Sequence, residues 1–267
     1  MKQSANIENL RVLVADDSTV VHKFIASALG EIDEKLELIA VSDGPEAVKA
    51  LIARPFDIAF LDINMPTLSG IAVMGAIHET GGKTFAVSMS NRLSGQSEKL
   101  LKNFGAYDFL IKPFTEDQVR GVVNTYRTIK KPRDVLIVDD SSTVRGIVRK
   151  VLDRSIFTFN IDEAEDGPAA LLRTQEKAFR IIFSDFNMPN MSGIELAAVL
   201  AKTARASDVI MMSSEFTNAL DEAARQVGAR AFLRKPFYSE DVDSILHHIF
   251  GLPHSYFSKQ VRVFATT

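Results

Sequence analysis

Two adjacent carboxylates, a third carboxylate, a hydroxyl and an amine occur twice along this chain at one fixed interval. Asp16–Asp17, Asp62, Ser90 and Lys112 return as Asp139–Asp140, Asp185, Ser213 and Lys235, each at an offset of 123. Three carboxylates brought together form an anionic pocket that costs free energy unless a cation or protons neutralise it. Oxygen-only donors suit magnesium, which takes one or two carboxylates plus phosphate oxygens and keeps several waters. Asp17 and Asp62 fit direct ligation and Asp16 ligation through water; Asp139, Asp140 and Asp185 are the same set in the second copy. An ammonium and a hydroxyl can then hold phosphoryl oxygens, which leaves Asp62, and Asp185 after it, as the nucleophile. Phosphoryl transfer asks mainly for positioning and charge neutralisation, and these groups supply both.

Each piece also has a plain structural use. Asp17–Ser18 could cap a helix, the stretch from Met65 to Gly70 could be a turn, and Lys112–Pro113 could end a strand. Such uses do not explain why the charges and the hydroxyl recur together in both copies.

The groups must be carried by elements that bring them together. Apolar runs of strand length precede each one: 12–15 before the acidic pair, 58–61 before Asp62, 85–87 before Ser90 and 109–111 before Lys112. The second half repeats them at 135–138, 181–183, 209–212 and 231–233. Between the runs, stretches such as 19–29, 45–53, 97–104 and 116–129 carry apolar residues at helical spacing. Continuous apolar strands alternating with helices predict an α/β fold with a parallel sheet covered on both faces. In such sheets ligands sit at the carboxyl ends of strands, near the point where strand order reverses, so an order of 2-1-3-4-5 gathers all the repeated groups. The repeat divides the chain into a first domain at 1–131, a second at 132–251 and a tail at 252–267, with Gly251–Leu252–Pro253 ending the last helix. The aromatic and basic tail, with Tyr256, Phe257 and Lys259, is expected to pack on the second domain or to serve as a docking arm.

Composition narrows the partners. Of 267 residues, 31 are Lys or Arg and 34 are Asp or Glu, for a net charge of −3. The balance is even in both halves, 15 basic against 16 acidic through Lys131 and 16 against 18 after it. Neither half has the basic excess that nucleic-acid binding normally uses. The sequence contains no cysteine, so disulfides and thiolate metal sites are excluded. Without an apolar signal core at residues 1–6 or an apolar run of spanning length, a cytoplasmic location away from the membrane is expected.

At this point the pattern resembles the receiver domain of two-component response regulators, the CheY-like, flavodoxin-like (βα)5 fold, over residues 9–130 and again over 133–250. The resemblance is carried by Val14–Ser18, Asp62–Pro66, Ser69–Gly70, Ser90, Gly105–Ala106 and Phe109 through Phe114. Its second copy has Val138–Ser141, Asp185–Pro189, Ser192–Gly193, Ser213, Gly228–Ala229 and Phe232 through Phe237. It implies a phosphoprotein of a two-component or phosphorelay system rather than an enzyme, with Asp62 and Asp185 accepting phosphoryl groups from a histidine kinase or a histidine phosphotransfer protein. It also implies a magnesium ligand from the backbone carbonyl of Asn64 or Asn187. Ser90 and Ser213 match the hydroxyl that moves toward the phosphoryl group, and Phe109 and Phe232 match the aromatic switch behind it. That motion would remodel the face made by the fourth helix, fifth strand and fifth helix, where a downstream protein or a second copy of the chain would bind. Lys112–Pro113 and Lys235–Pro236 are candidates for cis bonds. The copies depart from each other after the hydroxyl, with Asn91 in the first and Ser214 in the second, where receivers usually carry a small residue.

Two other functions compete. One is an adaptor in which a single receiver is phosphorylated while the other docks or dimerises. The remote alternative is a phosphatase similar to haloacid dehalogenases, although Asn64 stands where those enzymes normally need a second Asp and the acidic pair here comes first in the chain.

Overall fold

Every apolar run named above becomes a strand in the computed structural model, which describes residues 10–31, 35–82, 84–203, 207–215 and 217–253. The chain divides into two compact units, with the boundary between Arg127 and Thr128, inside the last turn of the tenth element in the chain.

In the first unit the order is β1 (Leu10–Ala15), α1 (Thr19–Gly30), β2 (Leu36–Val41), α2 (Gly44–Ala53), β3 (Ile58–Asp62), α3 (Gly70–Glu79), β4 (Phe85–Ser90), α4 (Gly95–Asn103), β5 (Asp108–Ile111) and α5 (Glu116–Lys130). The second runs β6 (Arg133–Val138), α6 (Ser142–Asp153), β7 (Phe159–Ala164), α7 (Gly167–Glu176), β8 (Ile181–Asp185), α8 (Gly193–Leu200), β9 (Asp208–Ser213), α9 (Asn218–Gln226), β10 (Ala231–Arg234) and α10 (Ser239–Ile249). Both sheets are parallel, ordered β2-β1-β3-β4-β5 and β7-β6-β8-β9-β10. These are two flavodoxin-like folds of the expected strand order, which reverses between β1 and β3 and between β6 and β8. Leu252 and Pro253 aside, the tail lies outside the described residues.

Burial explains why the central strands read as unbroken apolar runs. All five residues of β3 are buried, as are Val12 through Ala15 of β1 and Val135 through Val138 of β6. Helices cover both faces of such strands, and each fully buried Phe, Leu or Ile removed from water contributes about 1.5–3 kcal/mol. The edge strands β2 and β7 are only half-buried and carry Glu37, Asn160 and Asp162; no group of the repeated chemical set follows either of them, so the pattern anchored on those groups did not name them.

Caps set where the helices start. Asp43 and Asp166 accept the backbone N–H groups of Glu46 and Ala169 at 2.8 Å, each just ahead of a proline that the first helical turn tolerates. Ser192 and Glu195 form a reciprocal capping box at the start of α8. Ser18 occupies the cap position of α1 but its side chain caps nothing; its N–H donates instead to Asp16 Oδ1 at 3.0 Å. The local turn thus orients a pocket carboxylate.

At the other end of the second sheet, Arg133 opens β6 with its guanidinium 4.0 Å from the Phe250 ring centre, just past α10. The same guanidinium donates to the carbonyls of Thr128 and Lys131. Nearby, Asp243 of α10 accepts the Ser155 hydroxyl at 2.5 Å and the Ile156 N–H at 3.5 Å. Among the described residues, no helix is long and apolar enough to cross a membrane.

Candidate functional site

Strand pairing continues one residue past each strand end, and this fixes the chemically active positions. Beyond β1, Asp16 N–H donates to the Val41 carbonyl at 3.1 Å; beyond β5, Lys112 N–H donates to the Ser90 carbonyl at 2.9 Å. The second copy repeats this with Asp139 on Ala164 and Lys235 on Ser213. Backbone ladders therefore aim side chains from four different strands into one volume.

In the first copy the ligand oxygens of Asp16, Asp17 and Asp62 all lie within 4.8 Å of one another. Asp16 and Asp62 are buried and Asp17 is exposed. Lys112 Nζ reaches Asp16 at 2.6 Å and Asp62 at 3.1 Å. Burial pushes the Asp62 carboxyl above its ordinary value, and the Asp16 charge adds to this; Lys112 and the Asn64 N–H oppose it without prevailing. One ammonium is shared between two carboxylates, so neither is fully compensated. Lys112 itself is desolvated, but the two carboxylates outweigh that and hold its ammonium above the usual lysine range. An all-oxygen donor set with excess negative charge fits a hard divalent cation.

The second copy is built from the same residues with different distances. Lys235 Nζ is 2.6 Å from Asp139 and 2.7 Å from Asp185. Asp185 Oδ2 accepts the Asn187 N–H at 3.1 Å, and burial again raises the Asp185 carboxyl against the pull of Lys235. The exposed Asp140 does not complete a cluster of the first copy's tightness; among the described residues only the first copy's three acids converge so closely.

The hydroxyls also differ. Ser90 Oγ accepts the Asn64 side-chain amide at 2.8 Å, whereas Ser213 Oγ accepts the Glu215 N–H at 3.1 Å. Both serines are buried, and Asn91 and Ser214 beside them are exposed. Phe109 and Phe232 are buried in their respective cores, with the Phe232 ring 6.4 Å from Phe186. Both Lys–Pro bonds are cis.

Some contributors were not evident as such from sequence. Gly70 and Gly193 were visible as part of the receiver-like motif but without a stated role; a Cβ at either would stand 2.2 Å from the carbonyl oxygen of Asp62 or Asp185. Glycine lets the following helix begin against the strand end that carries the central carboxylate. Arg145 of α6 was also missed: its guanidinium donates to the Asp139 carbonyl at 2.8 Å and to Glu163 at 3.0 Å. Comparing it with His22 at the same offset was the available signal.

The family described as "Response regulator receiver domain" matches residues 12–124 and 135–247. Chemotaxis protein CheY-3 of Vibrio cholerae is 34% identical over 128 residues, spanning 46% of this chain and 95% of the relative. Chemotaxis protein CheY of Pseudomonas aeruginosa is 34% identical over 118 residues, spanning 43% and 94%. A solved two-component system response regulator/GGDEF domain protein superposes with a TM-score of 0.58 at 22% identity, covering 91% of this chain and 98% of that one; at that identity it speaks for the fold alone. With matches spanning most of both halves, the chain belongs to the response regulator receiver family, as a two-component response regulator that carries two CheY-like receiver domains in tandem.

Proposed function

We propose that this response regulator accepts phosphoryl groups on Asp62 and Asp185 and signals by changing its protein partners. The observation that carries this reading is the Lys112–Asp16–Asp62 arrangement at the carboxyl edge of the sheet, repeated as Lys235–Asp139–Asp185. Receivers in general take phosphoryl groups from histidine kinases, and a phosphohistidine is the donor that fits. A carboxylate oxygen of Asp62 attacks phosphorus, the bond from phosphorus to the imidazole nitrogen breaks, and that nitrogen leaves with the bond's electron pair. Lys112 is already within ion-pair distance of Asp62 and can turn to the transferred oxygens as their charge develops.

Asp16, Asp17, Asp62 and the Asn64 carbonyl would hold magnesium in the first copy, and Asp139, Asp140, Asp185 and the Asn187 carbonyl in the second. The metal supplies charge neutralisation for the phosphoryl oxygens. Ser90 and Ser213 then donate to a phosphoryl oxygen, and Phe109 and Phe232 pass the change to the face of α4, β5 and α5 or of α9, β10 and α10. The domains in this reading are 1–131 and 132–251. The unequal pockets favour a second reading, an adaptor with one working phosphosite.

Intact mass after incubation with magnesium and a small acyl phosphate separates these readings. Two added phosphoryl groups on the parent chain and one on Asp62→Asn or Asp185→Asn support two working receivers. A single group, lost in only one of the variants, identifies the adaptor; no addition to any form sinks the proposal.

A further inference from the structure

The two pockets differ less in their own residues than in what stands behind them. In the second unit, Arg145 reaches back from α6 to the carbonyls of Asp139 at 2.8 Å and Asp140 at 3.5 Å. Its Nε donates to Glu163 Oε2 on β7, and Arg149 donates to the other oxygen of Glu163 at 2.8 Å. A guanidinium is thereby fixed against the backbone of the acidic pair. At the same offset the first unit has His22, Ala26 and Ala40. The buried His22 Nε2 has no hydrogen-bond partner, so this bracket has no counterpart there.

The pockets differ accordingly. Asp16, Asp17 and Asp62 converge within 4.8 Å, and their counterparts do not. Lys235 is drawn tightly to both of its carboxylates, at 2.6 and 2.7 Å, where Lys112 is 2.6 and 3.1 Å from its pair. Arg145, Arg149 and Glu163 together carry one net positive charge beside the second pocket. A divalent cation entering there meets a closer internal counter-ion and a fixed like charge, and both oppose its binding.

We infer that Arg145 is a positioning residue that sets the divalent-cation affinity of the second receiver below that of the first, so that the two sites load at different cation concentrations. This rests on the phosphoreceiver reading above and deepens it.

Manganese binding to the full chain, followed by electron paramagnetic resonance, tests the inference without any phosphoryl transfer. Two classes of site about tenfold apart are expected, with Asp17→Asn removing the tighter and Asp140→Asn the weaker. In the Asp17→Asn background, Arg145→Ala should tighten manganese binding several-fold. Glu163→Gln, which leaves the guanidinium without its counter-charge, should weaken it. A purely structural role would move both variants in the same direction, and thermal melts of each confirm that the second unit is folded. The reciprocal graft, His22→Arg with Ala40→Glu, should weaken the first site. Two equal sites, or unchanged affinity in Arg145→Ala, overturns the inference and leaves phosphoacceptance standing. No manganese binding at all overturns the inference and the cation-assisted reading together, and the mass experiment then tells whether phosphoacceptance survives.

Discussion

Asn64 and Ser90 are joined side chain to side chain by a 2.8 Å hydrogen bond. The hydroxyl proposed to donate to a phosphoryl oxygen thus accepts here, which leaves its proton free but anchors its oxygen beside Asn64 before any phosphoryl group arrives. Ser213 is held differently, by the backbone N–H of Glu215. A neutral hydrogen bond of this kind contributes about 1 kcal/mol. Asn64→Ala should release Ser90 and raise the phosphorylation rate at Asp62 about fivefold, with Asp185 unaffected. Site-resolved peptide mass spectrometry over time measures both rates in one sample, and equal changes at the two sites would contradict this role of the Asn64–Ser90 bond.

Asp62 is a buried carboxylate that shares its ammonium with Asp16. Its folded-state value lies above the ordinary 3.8, so ionisation costs the folded state free energy. The contribution favouring the fold is complete below the unfolded value and is lost as pH rises through the folded one. Because Lys112 keeps Asp16 as its partner, Asp62→Asn should consequently stabilise the first unit at neutral pH without metal, and the gain should vanish at strongly acid pH. Calorimetric melts at pH 7 and near pH 3 check the sign.

Gly70 leaves no room for a side chain, because a Cβ would stand 2.2 Å from the Asp62 carbonyl oxygen. Neither partner is a flexible side-chain end, so the backbone must shift. Gly70→Ala should cost about 1–3 kcal/mol and displace Asp62 enough to abolish phosphoryl uptake there. Gly193→Ala is expected to do the same at Asp185. Thermal melts and intact mass read the two effects, and a fully stable, fully active variant would contradict this account of the turn.

Asp243 gives the second unit its own pH dependence. Burial pushes its carboxyl up to about 7, against the hydrogen bonds from Ser155 and the Ile156 N–H; Glu240 adds to the rise and Lys130 opposes it. Between the unfolded value of 3.8 and about 7 the folded state holds the extra proton, so stability falls by on the order of 4 kcal/mol across that window from this group alone. Asp243→Asn keeps an acceptor for Ser155 and should flatten the decline. Denaturation midpoints of the second unit between pH 4 and 8 supply the test.

The strand ends and their cargo were legible because central parallel strands are buried on both faces and therefore spell continuous apolar runs. Strands β2 and β7 were not, since none of the repeated groups follows them; the opposite edge strands, β5 and β10, were located by the lysine just past each end. The fourth helix, expected at 97–104, runs Gly95–Asn103, because the Ser94 cap accepts the Ser97 N–H and sets the start. Within the site, residue types showed which groups gather and not which side chains pair. Asn64 with Ser90 and Arg145 with Glu163 are contacts made across the fold, and no local spacing encodes them. The difference between His22 and Arg145 was visible as letters; its meaning depended on Glu163 facing it from the next strand.

Arg133 and Phe250 stand at opposite ends of the second unit's chain, guanidinium on ring at 4.0 Å. The contact makes a closed ring of a linear segment. Drawing the two ends of the segment apart costs this contact, worth about 0.5–2 kcal/mol, in addition to the ladders that hold β6. The first strand and the end of the last helix of the unit are thus tied to each other directly, far from the acidic pocket.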